Sequence, residues 1–256
     1  MGRYGLTPSQ SAPYNAFVNR AFLQQQVELA RRANQVLVGD VAEDSLADAL
    51  DETWQPSDIG LSVRAHDSGV AQLETDRIFL SDETVRAAMR IDGAEGVLTY
   101  LVNWLARGDK VTPYFFVVAG PVPADLEEDE IVINRWVADE LDVAIGDEVE
   151  LTYSELLASN EFENQSRTFT VHSILVMADL EAERDLMPVF PGLSDVESCS
   201  EWDVGMPMDE ELLNDEANEL YWEAYRQTPK AFVTLAAGPE MFANRFGSLT
   251  GVRYPG

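Results

Sequence analysis

The stretch from Glu130 to Val176 constrains this chain more than any other. It opens with Ile131, Val132 and Ile133, three β-branched residues that favour a strand, and then Asn134, a residue suited to cap a helix. Val137, Ala138 and Leu141 follow at i, i+1 and i+4, a single apolar stripe over two helical turns. Gly146-Asp147 marks a tight turn: glycine supplies the backbone angle, and aspartate can hydrogen-bond the turn. Val149, Leu151 and Tyr153 alternate with Glu148, Glu150 and Thr152, and Phe169, Val171 and Leu175 repeat that period of two. The order predicted is strand, short helix, turn, strand, polar hairpin, strand. Its residues serve packing and turn geometry, and none of them performs chemistry.

Upstream, apolar residues between Tyr14 and Val38 predict a long helix, with Phe22, Leu29 and Val36 seven apart and Gly39 ending it. Ser45 is read as the cap of a second helix that buries Leu46, Ala49, Leu50 and Trp54. Leu61, Val63 and Ala65 alternate as a strand, and Asp67-Ser-Gly69 turns the chain towards strands around Leu73 and Ile78 to Leu80. Ser81 starts a helix with Val85, Ala88 and Met89 facing inward. Val97 to Leu105 and Val111 to Val118 read as two long strands joined at Arg107-Gly-Asp-Lys110. At the end, Ala231 to Leu235 is a strand, and Gly238-Pro239 opens a helix burying Phe242 and Phe246. Leu249 to Tyr254 is the final strand.

Residues 177–226 differ in composition, with fifteen acids against two arginines and prolines or glycines interrupting any regular element. So long an irregular stretch in a folded domain is either functional or disordered. Trp202, Tyr221, Trp222 and Tyr225 argue for order, since such side chains favour burial. These four are the candidate partner-contact residues, with ordinary loop packing as the alternative.

Charge excludes whole classes of partner. Forty-six acids against 17 bases give a net charge of −29, which repels nucleic acid and disfavours docking on anionic lipid. Cys199 is the single cysteine, so no intrachain disulfide forms. No window reaches the roughly 18 apolar residues of a membrane span, and the chain as it stands is expected to be soluble.

Together with the opening unit, Arg184 to Asp195, Trp202-Asp203, Tyr221 to Leu235 and Asn244 to Thr250 resemble large FtsX/MacB-like ABC transporter permeases, over roughly Tyr14 to Pro255. The family's flanking transmembrane helices are absent from this sequence. The resemblance implies an α+β fold with two lobes, like a MacB periplasmic core. A helical segment at 1–54 precedes a βα porter-like lobe formed by 55–125 and 228–256. A small β-rich lobe at 126–176 and the acidic insertion at 177–227 interrupt that lobe.

The implied role is non-enzymatic, at the extracytoplasmic, periplasmic face of a bacterial inner membrane. There the domain would couple transmembrane motion to a lipoprotein, peptide or small amphiphile. Implied partners are an ABC ATPase subunit reached through membrane segments, a lipoprotein or periplasmic protein, and a second copy in a homodimeric permease. No cofactor is implied. The helix, Gly-Asp and strand order also resembles double-psi barrels, which would place a closed barrel around Gly146 and make the chain a binding module.

Motifs for chemistry are missing. Lys110 and Lys230, the only lysines, lie in no Gly-Lys-Ser/Thr sequence, so ATP is not hydrolysed here. No serine sits in a Gly-x-Ser-x-Gly elbow. His66 and His172 lack zinc-site spacing, and Cys199 lies in an acidic loop that disfavours its thiolate. Asp179, Glu181, Glu183, Asp185, Glu201 and Asp203 could serve a Ca²⁺- or Mg²⁺-dependent hydrolase, although they lack the spacing of a calcium loop.

Overall fold

The computed structural model describes residues 17–27, 30–31, 33, 38–157, 159, 161–190 and 192–255. It divides into two units, Met1–Trp54 and Gln55–Gly256. In the first, α1 (Arg20–Gln26) is capped by Asn19, whose side chain accepts from the amides of Ala21 and Phe22. The long helix read over Tyr14 to Val38 is thereby shortened. It stops at Val27, Arg31 adopts a positive φ of 63°, and the remaining positions lie partly outside the described residues. Helix α2 (Glu43–Thr53) begins before Ser45, with Ala42 at its cap. Leu46, Leu50 and Trp54 are exposed rather than buried.

The second unit is α+β and is built on a closed barrel of six strands. After α3 (Asp82–Ala88), capped by Ser81, the hairpin of β3 (Glu95–Arg107) and β4 (Lys110–Ala119) turns at Gly108, where φ is 58°. Next comes β5 (Glu130–Asn134), capping α4 (Arg135–Leu141) through Asn134, and then the ribbon of β6 (Glu148–Leu156) and β7 (Phe162–Leu175). With β8 (Ala231–Val233), the order around the barrel is β3, β4, β8, β5, β7, β6 and back to β3. The β4–β8 and β5–β7 pairs are parallel; the others are antiparallel. The closing seam is short: Trp104, Leu105 and Ala106 pair with Thr152, Leu151 and Glu150.

Residues 126–176 are therefore half of the barrel wall, contributing β5, β6 and β7, while the flanking stretches contribute β3, β4 and β8. The α+β class holds. The strands assigned to the two lobes close together into one six-stranded barrel. Three further strands, β1 (Leu61–Ala65), β2 (Ala71–Thr75) and β9 (Gly251–Tyr254), extend a sheet from the start of β3. Ile78 to Leu80 is not a strand; Ile78 has a positive φ of 70°.

Two apolar layers share the barrel wall. Leu98, Phe115, Val117, Ile133, Leu151, Phe169 and Val233 pack in one cluster, which is closed off by Phe242 of α8 (Ala237–Phe242). The intervening positions Val97, Leu101, Tyr114, Phe116 and Val118 belong to a second cluster, packed against residues of the acidic insertion. Strands β3 and β4 are thus buried on both faces, which explains their near-continuous apolar runs. The insertion forms a belt with α5 (Glu181–Leu186), α6 (Glu210–Leu213) and α7 (Glu216–Tyr225). Among the described residues no helix is long and apolar enough to cross a membrane.

Candidate functional site

The belt aromatics sit inside. Trp202, Tyr221 and Trp222 are 8, 3 and 2% exposed, and Tyr225 is half-buried. Trp202 and Trp222 meet edge to face at 5.0 Å, and Tyr221 meets Trp136 of α4 at 4.9 Å. Each such ring removes a large apolar area from water, which is what orders an otherwise irregular stretch. Trp202, Tyr221 and Trp222 therefore serve core packing, because a buried ring offers a partner nothing, whereas Tyr225 keeps part of its ring accessible. Gly146 has φ 91°, and the Asp147 carboxylate accepts from the Ala144 amide at 2.9 Å and pairs with Arg107. Both serve the turn.

Sequence reasoning missed Lys230. Its ammonium is fully buried between barrel and belt, donating to Thr112 Oγ1 at 2.8 Å and Asn218 Oδ1 at 2.6 Å. It lies 4.1 Å from the Trp136 ring centre and 4.6 Å from that of Tyr221. Burial pushes its pKa down from 10.5 to about 7, and the nearby Cys199, Asp215 and Glu140 recover only part of that shift. Burial likewise pushes the Cys199 thiol up to about 12, so no reactive thiolate forms near neutral pH. The space around Lys230 holds about 10 Å³, too little for a substrate.

The acids that a hydrolase would need are dispersed. Glu183 is taken by Arg253 at 3.0 Å. Among the described residues no three His, Cys, Asp or Glu side chains are grouped to hold a metal. His172 Nε2 lies 3.7 Å from Asp125 and 4.0 Å from Glu130, a surface pairing on the barrel wall.

An apolar cleft of about 280 Å³ opens between the barrel, the belt and the tip of the β6–β7 ribbon. One wall is β3 and β4, through Thr99, Tyr100, Leu101 and Phe116. The belt supplies Phe190, Leu193, Val204 and Met206, and the ribbon supplies Leu156 and Phe162. Ile78, Phe79, Asn244 and Phe246 complete the rim. Phe246, expected in the core, is 55% exposed here, because α8 ends at Phe242 and releases the chain.

No charged side chain lines the cleft among the described residues. Its lining also contains a buried polar atom without a partner: Thr99 is 1% exposed and its hydroxyl has no hydrogen-bond partner. An orphaned buried hydroxyl costs about 1–3 kcal/mol. An apolar wall with one or two polar anchors is the usual make-up of a small-molecule site, and this volume is at the small end of that range. The arrangement can hold an apolar group. The alternation along β3 places Thr99 among apolar neighbours, and only the folded belt shows that they line a cavity. No protein-family model and no curated protein matches this chain.

Proposed function

We propose that this chain is an extracytoplasmic module of an FtsX/MacB-like ABC permease. In this reading it is non-enzymatic and stands on the outer face of a bacterial inner membrane. It binds the apolar part of an exported or released amphiphile, lipoprotein or peptide, and passes the movement of membrane helices to that cargo. ATP is hydrolysed by a partner ATPase subunit. The motifs around Arg184 to Asp195 and Tyr221 to Leu235 support the family, and the observation that carries the role is the uncharged, apolar-walled cleft between barrel, belt and ribbon. The closed barrel favours a second reading, a double-psi-like binding module that uses the same cleft without an ATPase.

Titration with the apolar dye N-phenylnaphthylamine tests the binding role. Saturable one-to-one binding that Phe246→Glu weakens at least tenfold supports it, since a carboxylate at the rim is poorly solvated beside an apolar ligand. Absence of saturable binding, or equal binding by the variant, refutes it. Phe246 is exposed, so the substitution leaves the fold intact.

A further inference from the structure

Behind the ribbon tip lies a second cleft, of about 670 Å³, and Phe162 lines both. The chemistry of the second cleft is different. Asn103 Nδ2 donates to Asn164 Oδ1 at 3.1 Å, and Ser154 Oγ lies 3.0 Å from Asn103 Oδ1 and 3.1 Å from Asn164 Oδ1. Next to this amide–hydroxyl ladder, Thr152 and Ser166 are 2.8 Å apart. Trp104, half-buried, stands on the same wall, with Glu163 and Asp209 in the remainder of the lining. The two clefts are also tied together, because the Tyr100 hydroxyl of the apolar cleft donates to the Ser154 carbonyl at 2.6 Å.

We propose that the two clefts form one site for an amphiphile with an uncharged, polyhydroxylated head, of the glycolipid class, with its chain in the apolar cleft and its head along the Asn103–Ser154–Asn164 ladder. The proposal rests on the cleft reading above and specifies the ligand. Neither cleft is lined by a lysine or arginine among the described residues, so an anionic head finds no countercharge there, and a surface of −29 repels it. Side-chain amides and hydroxyls are both donors and acceptors, which matches vicinal hydroxyls. Carboxylates such as Glu163 accept from hydroxyls in charge-assisted bonds. An indole offers the apolar face of a sugar a flat partner. Ser154 and Asn103 hold each other in place, while the exposed Asn164 keeps its Nδ2 free for a ligand.

The experiment compares decyl maltoside, a decyl polyoxyethylene ether and decyl sulfate, all below their micelle concentrations, by calorimetric titration. Two head-group hydrogen bonds make the maltoside about tenfold tighter than the ether, and decyl sulfate the weakest of the three. Asn164→Ala removes the tenfold preference and leaves ether binding unchanged; Phe246→Glu weakens all three. Equal affinity for maltoside and ether, or a preference that survives Asn164→Ala, overturns the head-group assignment while leaving the apolar cleft standing. Failure of every decyl probe to bind overturns both. Asn164 is on the surface, so Asn164→Ala folds; its thermal melt confirms this.

Discussion

Lys230 makes the stability of this protein depend on pH in a direction opposite to an ordinary ion-paired lysine. Its folded pKa is about 7, and in the unfolded chain it returns to 10.5. Between those values the unfolded state carries a proton that the folded state lacks, so stability rises with pH, by about 1.4 kcal/mol per unit where the difference is one whole proton. With the folded group half-protonated near pH 7, the gain from pH 7 to 9 amounts to about 2 kcal/mol. Above pH 9 the sign is contested. The Cys199 thiol, raised from 9.0 to about 12, and the Tyr100 hydroxyl, raised from 10.0 to about 12, hold protons longer in the folded state and pull stability down.

The window is therefore pH 7 to 9, read by urea unfolding at constant m-value. Wild type is expected to gain about 2 kcal/mol across it and Lys230→Met almost nothing. At any single pH the variant also leaves Thr112 and Asn218 without a donor, so the slope is the clean readout. Equal slopes in the two proteins refute the assignment of the buried, mostly neutral amine.

Two further perturbations separate backbone geometry from surface charge. A Cβ on Gly192 would stand 2.1 Å from the Asp203 carbonyl with φ at 80°, whereas one on Gly146, φ 91°, meets nothing within 4 Å. Gly146→Ala is expected to cost about 1 kcal/mol, and Gly192→Ala at least twice that because the belt must move; equal chemical-denaturation losses sink the comparison. Raising NaCl from about 0.05 to about 0.5 M should raise the melting temperature, since salt screens repulsion among the exposed carboxylates. A fall on adding salt would show that attractive surface pairs dominate instead.

The opening stretch was legible because its information is local. Asn134 caps α4 by accepting from the Val137 amide at 2.9 Å, and Glu148 to Tyr153 alternates as the pattern predicts. Period and caps say which face is buried, but not by what. The Tyr114 to Val118 run lacked alternation, and the physical reason is that Phe115 and Val117 face the main core while Tyr114, Phe116 and Val118 face the belt. Closure was equally invisible, because the seam depends on three residue pairs 44 to 48 positions apart and β4–β8 pairing on residues still farther separated. For the site, the aromatic signal in the belt was real but marked packing. The cleft exists only where belt, ribbon and barrel meet, and no single segment's period encodes that meeting.

The distribution of charge follows from the same architecture. Seventeen bases cannot balance 46 acids, so where the bases go matters more than how many there are. Several are used to fasten the belt. Arg64 donates to the Met187 carbonyl at 3.0 Å, Arg253 holds Glu183, and Lys230 reaches Asn218. Within the belt, Arg226 donates to the Val196 carbonyl at 3.0 Å and stacks on Trp222. Arg64, Arg253 and Arg226 also pair with Glu74, Glu183 and Glu197, so these bases combine carbonyl or amide acceptors with one carboxylate each, and most of the acids are left to face solvent. Arg253 and Lys230 are buried, so salt screens them little, whereas repulsion between exposed acids is screened strongly. The belt is thus attached by contacts that ionic strength hardly weakens, on a surface that ionic strength relaxes. This is why the cleft between belt and barrel is expected to keep its shape in salty surroundings.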